Sequence, residues 1–279
     1  AIEPKTSADR DTLNDVIKTL GEEDPTFQVT VNADTGQTII HGMGELHLEI
    51  LKDRMLREFK VNANAGKPMV AYKETVSKSS HASYTFDREI GGKKQFAKLD
   101  MRLEPLPRGE GNTLKFDVSK TVLPGDYREA VENGINDGLI TGILGSYPMV
   151  DVAVTVTGAE TMLEESSDVA FHSAAVMCFK EGAKEAKAVL LEPIMELEII
   201  CPAEHMGDVI GDLNSRRGKI KDMEPFEGNQ IIKSFVPLAE LFGYATTLRS
   251  LTRGRSSYTM EPVLFEQVPE QLQGAILTY

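Results

Sequence analysis

The stretch richest in chemistry-bearing side chains is Gly91-Gly92-Lys93-Lys94-Gln95-Phe96. Two ammonium groups can neutralise phosphates, an amide can hydrogen-bond base edges, and an aromatic ring can stack on an unpaired base. The flanking residues set how these groups are presented. Ala82, Tyr84 and Phe86 alternate with Ser83, Thr85 and Asp87, and Ala97, Leu99, Met101 and Leu103 alternate with Lys98, Asp100 and Arg102. A period of two on both arms predicts two half-buried antiparallel strands. Gly91 and Gly92 supply the positive φ angles of a tight reversal. Parity places Phe96 with Lys98 and Asp100, opposite the apolar face, so its ring is expected in solvent. The same letters also describe an ordinary solvated turn, and the turn alone does not separate the two readings.

Other candidates are fewer. Arg216, Arg217, Lys219 and Lys221 close one predicted helix, and Arg249, Arg253 and Arg255 close another. Cations at a helix C-terminus complement its dipole; arginines can equally grip phosphates through two parallel hydrogen bonds. Both readings stand. His41 and His47 flank a glycine-rich turn with Glu45 between them, off the i, i+4 spacing of a helical zinc site. No G-x-x-x-x-G-K-[ST] phosphate loop occurs, since Gly66-Lys67 runs into Pro68. Asp208-Val209-Ile210-Gly211 reads as surface helix, and no Ser-His-Asp or Cys-His constellation can be assembled. The chain is therefore expected to be non-catalytic, with no metal and no cofactor of its own.

Bulk properties narrow the partners. The 279 residues are 41% hydrophobic, enough for two or three domains with cores. A formal charge of −13 and a pI near 4.9 exclude binding to nucleic acid by net charge, so any such contact must be local. Cys178 and Cys201 sit in apolar contexts and are expected as buried reduced thiols, without a disulfide. No apolar run reaches the length of a membrane span and no signal-peptide pattern opens the chain. A cytoplasmic monomer without a membrane partner is expected. The opening Ala1-Ile2-Glu3-Pro4, with no methionine, suggests part of a longer polypeptide.

Three units would position these groups. Residues 1–73 read β-α-β-β-α-β, with Ser7 as a helix cap, Leu13, Val16, Ile17 and Leu20 on one helical face, and Leu48, Leu51, Met55 and Phe59 on another. Residues 74–193 hold the hairpin, a strand at Leu114-Phe116-Val118, a helix from Pro124 and a strand from Val150 to Val156. A turn through Met162 follows, then a helix capped by Ser166 or Ser167 that buries Phe171, Ala174, Ala175 and Cys178. The Met162 turn is expected beside the hairpin turn. Residues 194–279 repeat β-α-β-β-α-β, with helices from Ala203 to Arg217 and from Ala239 to Thr252, the latter ending at Gly254; the stretch from Pro269 has no assignment.

Gly42-Met43-Gly44-Glu45-Leu46-His47-Leu48-Glu49 resembles the third domain of elongation factor G, the ribosomal translocase. Gly66-Lys67-Pro68 with Val70-Ala71-Tyr72-Lys73-Glu74-Thr75 is similar to the entry to that family's fourth domain. Leu191-Glu192-Pro193-Ile194-Met195, the segment from Met206 to Asn214, and that from Phe242 to Ser250 resemble its fifth. The likeness is collinear over nearly the whole chain. It implies an α+β chain of two ferredoxin-like domains flanking a ribosomal-protein-like middle domain. It also implies a C-terminal part of a translational GTPase, with GTP and Mg bound by an N-terminal domain outside this sequence. Ribosome, tRNA and mRNA become the expected partners. The resemblance casts Gly91 to Phe96 and Met162 as tip residues reaching the decoding region. It casts Arg216, Arg217, Arg249, Arg253 and Arg255 as ribosome-facing, and Gly44, Glu45 and His47 as a relay to the GTPase domain. The tip departs from the family's usual Gly-Gly-Arg-Gly-Gln-Tyr-Gly at Lys93, Lys94, Phe96 and Ala97, and Met162 stands where His is usual. A paralogue acting in ribosome recycling or tetracycline-type ribosome protection is the alternative.

Overall fold

The structure, a computed structural model, describes residues 1–277. The chain forms two compact units, one of residues 1–71 with 193–263 and one of residues 72–192 with 264–277.

In the first unit, β1 (Ile2–Pro4), α1 (Asp9–Glu23), β2 (Gln28–Val31), β3 (Thr38–His41), α2 (Glu45–Asp53) and β4 (Ala63–Ala65) follow one another. Their sheet has the order β2-β3-β1-β4. Ile2, Leu13, Leu20, Leu51 and Met55 fill the space between sheet and helices. The cap of α1 lies one residue before the expected Ser7. Thr6 donates from N and Oγ1 to Asp9 Oδ2 (3.1 and 2.6 Å), and Asp9 N donates back to Thr6 Oγ1 (3.3 Å). This reciprocal pairing satisfies two otherwise orphaned donors. After Asp53 the helix widens into a π-turn, Arg54–Glu58. Lys60 then takes φ 55° and Val61 N bonds back to Met55 O at 2.9 Å. The last strand then runs over Ala63–Ala65.

The second unit contains β5 (Lys73–Val76), β6 (Ser80–Ile90), β7 (Lys93–Pro105), β8 (Thr113–Phe116), α3 (Gly125–Thr141), β9 (Val152–Glu160) and α4 (Asp168–Glu185). The sheet order is β6-β7-β9-β8, antiparallel except for β8 beside β9, which α3 joins as a crossover. The apolar parity of β7 puts Ala97, Leu99, Met101 and Leu103 in the core with Phe171, Ala174, Ala175 and Cys178 of α4. Two glycines of α3 let the helices close: a Cβ on Gly134 would lie 2.6 Å from His172 O, and one on Gly138 would strike the Phe179 ring. Ser167 is the cap of α4, accepting from Ala170 N at 3.2 Å.

β10 (Ala188–Pro202) is one 15-residue strand that runs through the expected boundary at Pro193. Its first part pairs with β5 in the second unit, from Ala188↔Val76 to Leu191↔Lys73. Its later part continues the first unit with α5 (Met206–Ser215), β11 (Lys219–Phe226), β12 (Asn229–Pro237), α6 (Tyr244–Leu251) and β13 (Ser257–Gln267). The order β11-β12-β10-β13 repeats that of the N-terminal sheet, so the two β-α-β-β-α-β halves share one ferredoxin-like plan. Both helices start later than the sequence suggested, after short 3₁₀ turns at Ala203–His205 and Leu238–Glu240. Gly254 ends the last turn of α6 as expected, at φ 76° with its N–H on Arg249 O (2.8 Å). Residues 264–277 pack against the middle unit. Val268 N donates to Leu190 O (2.9 Å), Lys73 Nζ lies 4.2 Å over the Phe265 ring, and α7 (Glu270–Leu277) occupies the unassigned stretch.

Candidate nucleic-acid interface

The β6–β7 hairpin stays in register to Ile90↔Lys93, so the reversal is the two residues Gly91 (φ 60°) and Gly92 (φ 77°). Left-handed backbone at both central positions is the turn that suits strand twist, and it demands glycine for conformation. Space is not the reason, since a Cβ at either would meet nothing within 4 Å. Lys93 to Phe96, expected in the turn, are instead the first residues of β7.

Lys93 is exposed at the end of the hairpin. Lys94 is also exposed, but its Nζ lies 3.2 Å from Glu165 Oε2 and 3.8 Å from Asp87 Oδ1. Glu165 first, and Asp87 second, hold its pKa above the ordinary lysine value. Of the expected pair of cations, Lys94 is compensated, and Lys93 has no ion-pair partner among the described residues. Gln95 Oε1 accepts from Ser167 Oγ, tying the hairpin to the cap of α4.

Phe96 overturns the expectation of a solvent-exposed ring: it is 5% exposed. Parity does put it on the face opposite Ala97, but the hairpin's two arms are not its only neighbours. The connection after β9 forms a third at this level. Phe96 N donates to Glu165 O (2.8 Å), and Phe96 O accepts from Ser166 Oγ (2.8 Å). The same Ser166 Oγ accepts from Met162 N (2.9 Å), Ser166 N donates to Met162 O (3.0 Å), and Ser166 O accepts from Tyr127 Oη (3.1 Å). Ser166 thus fastens the connection to β7 and α3 together. The two turns lie at one end of the sheet, as the shared sheet suggested. Among the side chains the connection exposes, two are apolar: Met162 at 44% and Leu163 at 93%. Leu163, together with half-exposed Ile90 at the hairpin end, was missed because neither breaks a pattern readable from sequence.

Most of the arginines expected to face phosphates are engaged within their own unit. Arg216 Nε pairs with Asp212 (2.8 Å), its Nη1 donates to Glu240 O (2.5 Å), and its guanidinium covers the Tyr244 ring at 5.1 Å. Arg217 pairs with Glu240 (3.0 Å), and Arg255 with Glu204 and with His205 Nε2. Arg249 Nη2 donates to Met43 O (3.0 Å). Arg253 is exposed in left-handed backbone at φ 50°.

The expected relay residues meet α6. Glu45 Oε2 accepts from Thr246 Oγ1 (2.6 Å), and Gly44 is where a Cβ would come within 2.8 Å of Arg249 Nη1. Met43 N donates to His47 Nδ1 (3.1 Å), so the proton sits on Nε2 and faces Asp24 Oδ2 at 2.7 Å. Asp24 is held below the usual carboxylate range chiefly by the Thr26 hydroxyl and amide, with His47 adding less. Among the described residues, no three His, Cys, Asp or Glu side chains converge to hold a metal ion, and no helix is long and apolar enough to cross a membrane.

Three family models match in collinear order: elongation factor G domain III over residues 1–67, domain IV over 68–187, and the elongation factor G C-terminus over 189–276. The chain belongs to the elongation factor G family. It is similar to a crystallised protein of Thermus thermophilus, with 34% identity and a TM-score of 0.82. The match covers 100% of this chain and 42% of that one, so the chain spans less than half the length of this relative. The domain content is that of the third, fourth and C-terminal domains of a translation elongation factor.

Proposed function

We propose that this chain is the ribosome-facing part of a translational GTPase, and that it promotes GTP-dependent translocation of tRNA and mRNA. The observation that carries this reading is the collinear run of domain III, domain IV and C-terminal matches between residues 1 and 276. On this reading GTP and Mg bind in a part of the parent outside these residues, and the chain acts mechanically rather than as a catalyst. The hairpin ending at Lys93 extends three residues past the level at which the 161–167 connection docks on Phe96, about 10 Å of strand. That projection would carry the Lys93 ammonium to a phosphate ahead of the rest of the sheet.

A second reading, a recycling or ribosome-protection factor, draws support from the tip chemistry. Lys94 is compensated by carboxylates, and the connection beside it presents Met162 and Leu163. Single-turnover measurement of tRNA movement on pre-translocation ribosomes separates the two. Movement coupled to GTP hydrolysis by the parent protein is the result expected of a translocase. Subunit splitting or antibiotic release without tRNA movement would replace it with the second reading.

A further inference from the structure

Within the second unit, the turn after α3 meets the helix α7, and the two are held with unequal strength. The turn, residues 142–147, closes on the fully buried Glu74 carboxylate, which accepts from the N–H groups of Ile143, Leu144, Gly145 and Tyr147. Four donors converging on one anion fix that backbone. The fixed turn forms a seat. A Cβ on Gly145 would lie 2.6 Å from Tyr147 Cε2 and 2.7 Å from Leu277 Cδ2. The missing side chain is therefore what lets the last residue of α7 enter beside the tyrosine ring. Tyr72 backs that ring from β5's approach, with centroids 5.5 Å apart.

α7 brings less of its own. It has eight residues, buries none of them fully, and leaves Leu272 37% exposed. Two turns of helix are marginal in water without tertiary packing, and the glycine at 274 lowers the propensity further. The chain just before it is anchored: Val268 is fully buried and its N–H donates to Leu190 O at 2.9 Å. Gln273 Nε2 donates to Val268 O (2.9 Å), a bond within the segment itself. A short, half-exposed helix thus follows a firm anchor and ends on a rigid seat.

We propose that α7 is a releasable strap that pivots at Val268 and docks Leu277 on the seat preformed by Glu74. The dependence runs one way. The seat keeps its shape with the strap off, whereas the strap loses its place when the seat is disordered. Docked, α7 covers the Gly145–Tyr147 edge of the second unit; released, it opens that edge to solvent. Strap and seat belong to one unit, so the device needs no partner.

Hydrogen exchange in the parent protein, read by mass spectrometry on peptides from residues 142–147, 270–277 and β7, tests this. In the wild type α7 should exchange about a hundredfold faster than β7, through local opening, and about tenfold slower than the free peptide. Exchange as slow as β7, or as fast as the free peptide, overturns the proposal. Leu277→Asp should speed α7 to the free-peptide rate and leave the turn and β7 as in the wild type. An equal acceleration in the turn overturns the one-way dependence, as does a Leu277→Met variant that behaves like Leu277→Asp. Glu74→Gln should speed the turn and α7 together, each about tenfold. Local opening does not draw on global stability, so the change in α7 reports the seat, with β7 showing that the variant is folded. Wild-type exchange of α7 beside an accelerated turn in Glu74→Gln also overturns the proposal.

Discussion

Lys94 Nζ lies 3.2 Å from Glu165 Oε2, an ion pair that ties the hairpin to the connection following β9. Two lysines adjacent in sequence therefore differ in what they can offer a polyanion. Lys93 brings a charge with no carboxylate partner among the described residues, whereas Lys94 already faces Glu165 and Asp87.

Salt dependence of ribosome binding should expose that difference. Each phosphate neutralised on a single strand contributes about 0.7 to the slope of log affinity against log salt. Lys93→Ala in the parent protein is expected to lower the slope by about that much, and Lys94→Ala to leave it nearly unchanged. Co-sedimentation with ribosomes across a salt series measures both. Equal losses for the two variants would mean that the ion pair opens on binding.

Phe96→Ala is expected to act on stability. A buried phenylalanine truncated to alanine leaves a cavity and costs about 3–5 kcal/mol. Hydrogen exchange along β7 should report the loss, with protection falling at Leu99 and Met101 in the same sheet. Phe96→Leu, which keeps most of the volume, should recover most of it. Wild-type protection in Phe96→Ala would restore the exposed-ring reading.

The Cys178 thiol makes the second unit alkali-sensitive. Burial chiefly, with Asp100 and Glu181 adding to it, pushes its pKa from 9.0 up to about 12. Below pH 9 the thiol is neutral in both folded and unfolded chains and contributes no pH dependence. Between pH 9 and about 12 the unfolded chain releases the proton and the folded chain keeps it, so stability falls as pH rises. Cys178→Ala should flatten that part of the profile in urea titrations. At neutral pH neither Cys178 nor Cys201 should react with a thiol reagent before unfolding.

Periodicity carried most of the architecture. Both ferredoxin-like halves, the alternation along β7 and the buried face of α4 follow from spacing, because each element buries one face against a core within its own unit. Motifs collinear over the chain carried the family. The tip was less legible. Phe96 is bonded through its backbone to a connection more than sixty residues later, and the state of Lys94 depends on Glu165 rather than on its sequence neighbours. The arginines failed for the same reason: Arg216 finds Glu240 and Tyr244 across the fold, and no local pattern separates a cation bound at home from one offered to a partner.

Glu74 offers the strongest stability test. It is fully buried, and its carboxylate accepts five backbone contacts from the turn after α3: Ile143 N (2.7 Å), Leu144 N (3.0 and 3.1 Å), Gly145 N (2.9 Å) and Tyr147 N (3.3 Å). Gly142, at φ 59°, turns the chain so tightly around it that a Cβ there would lie 2.7 Å from Glu74 Cδ. Four converging N–H groups form a cradle for an anion. Removing the carboxylate strands those donors where backbone cannot re-pair them, at about 1–3 kcal/mol for each that water fails to reach. Glu74→Ala should therefore cost about 3–5 kcal/mol and lower the melting temperature by roughly 10 °C. Glu74→Gln should fall between, because its carbonyl can still accept from two amides while its NH₂ opposes the others. A melting curve for Glu74→Ala that overlays the wild type would show that the turn holds itself without the anion.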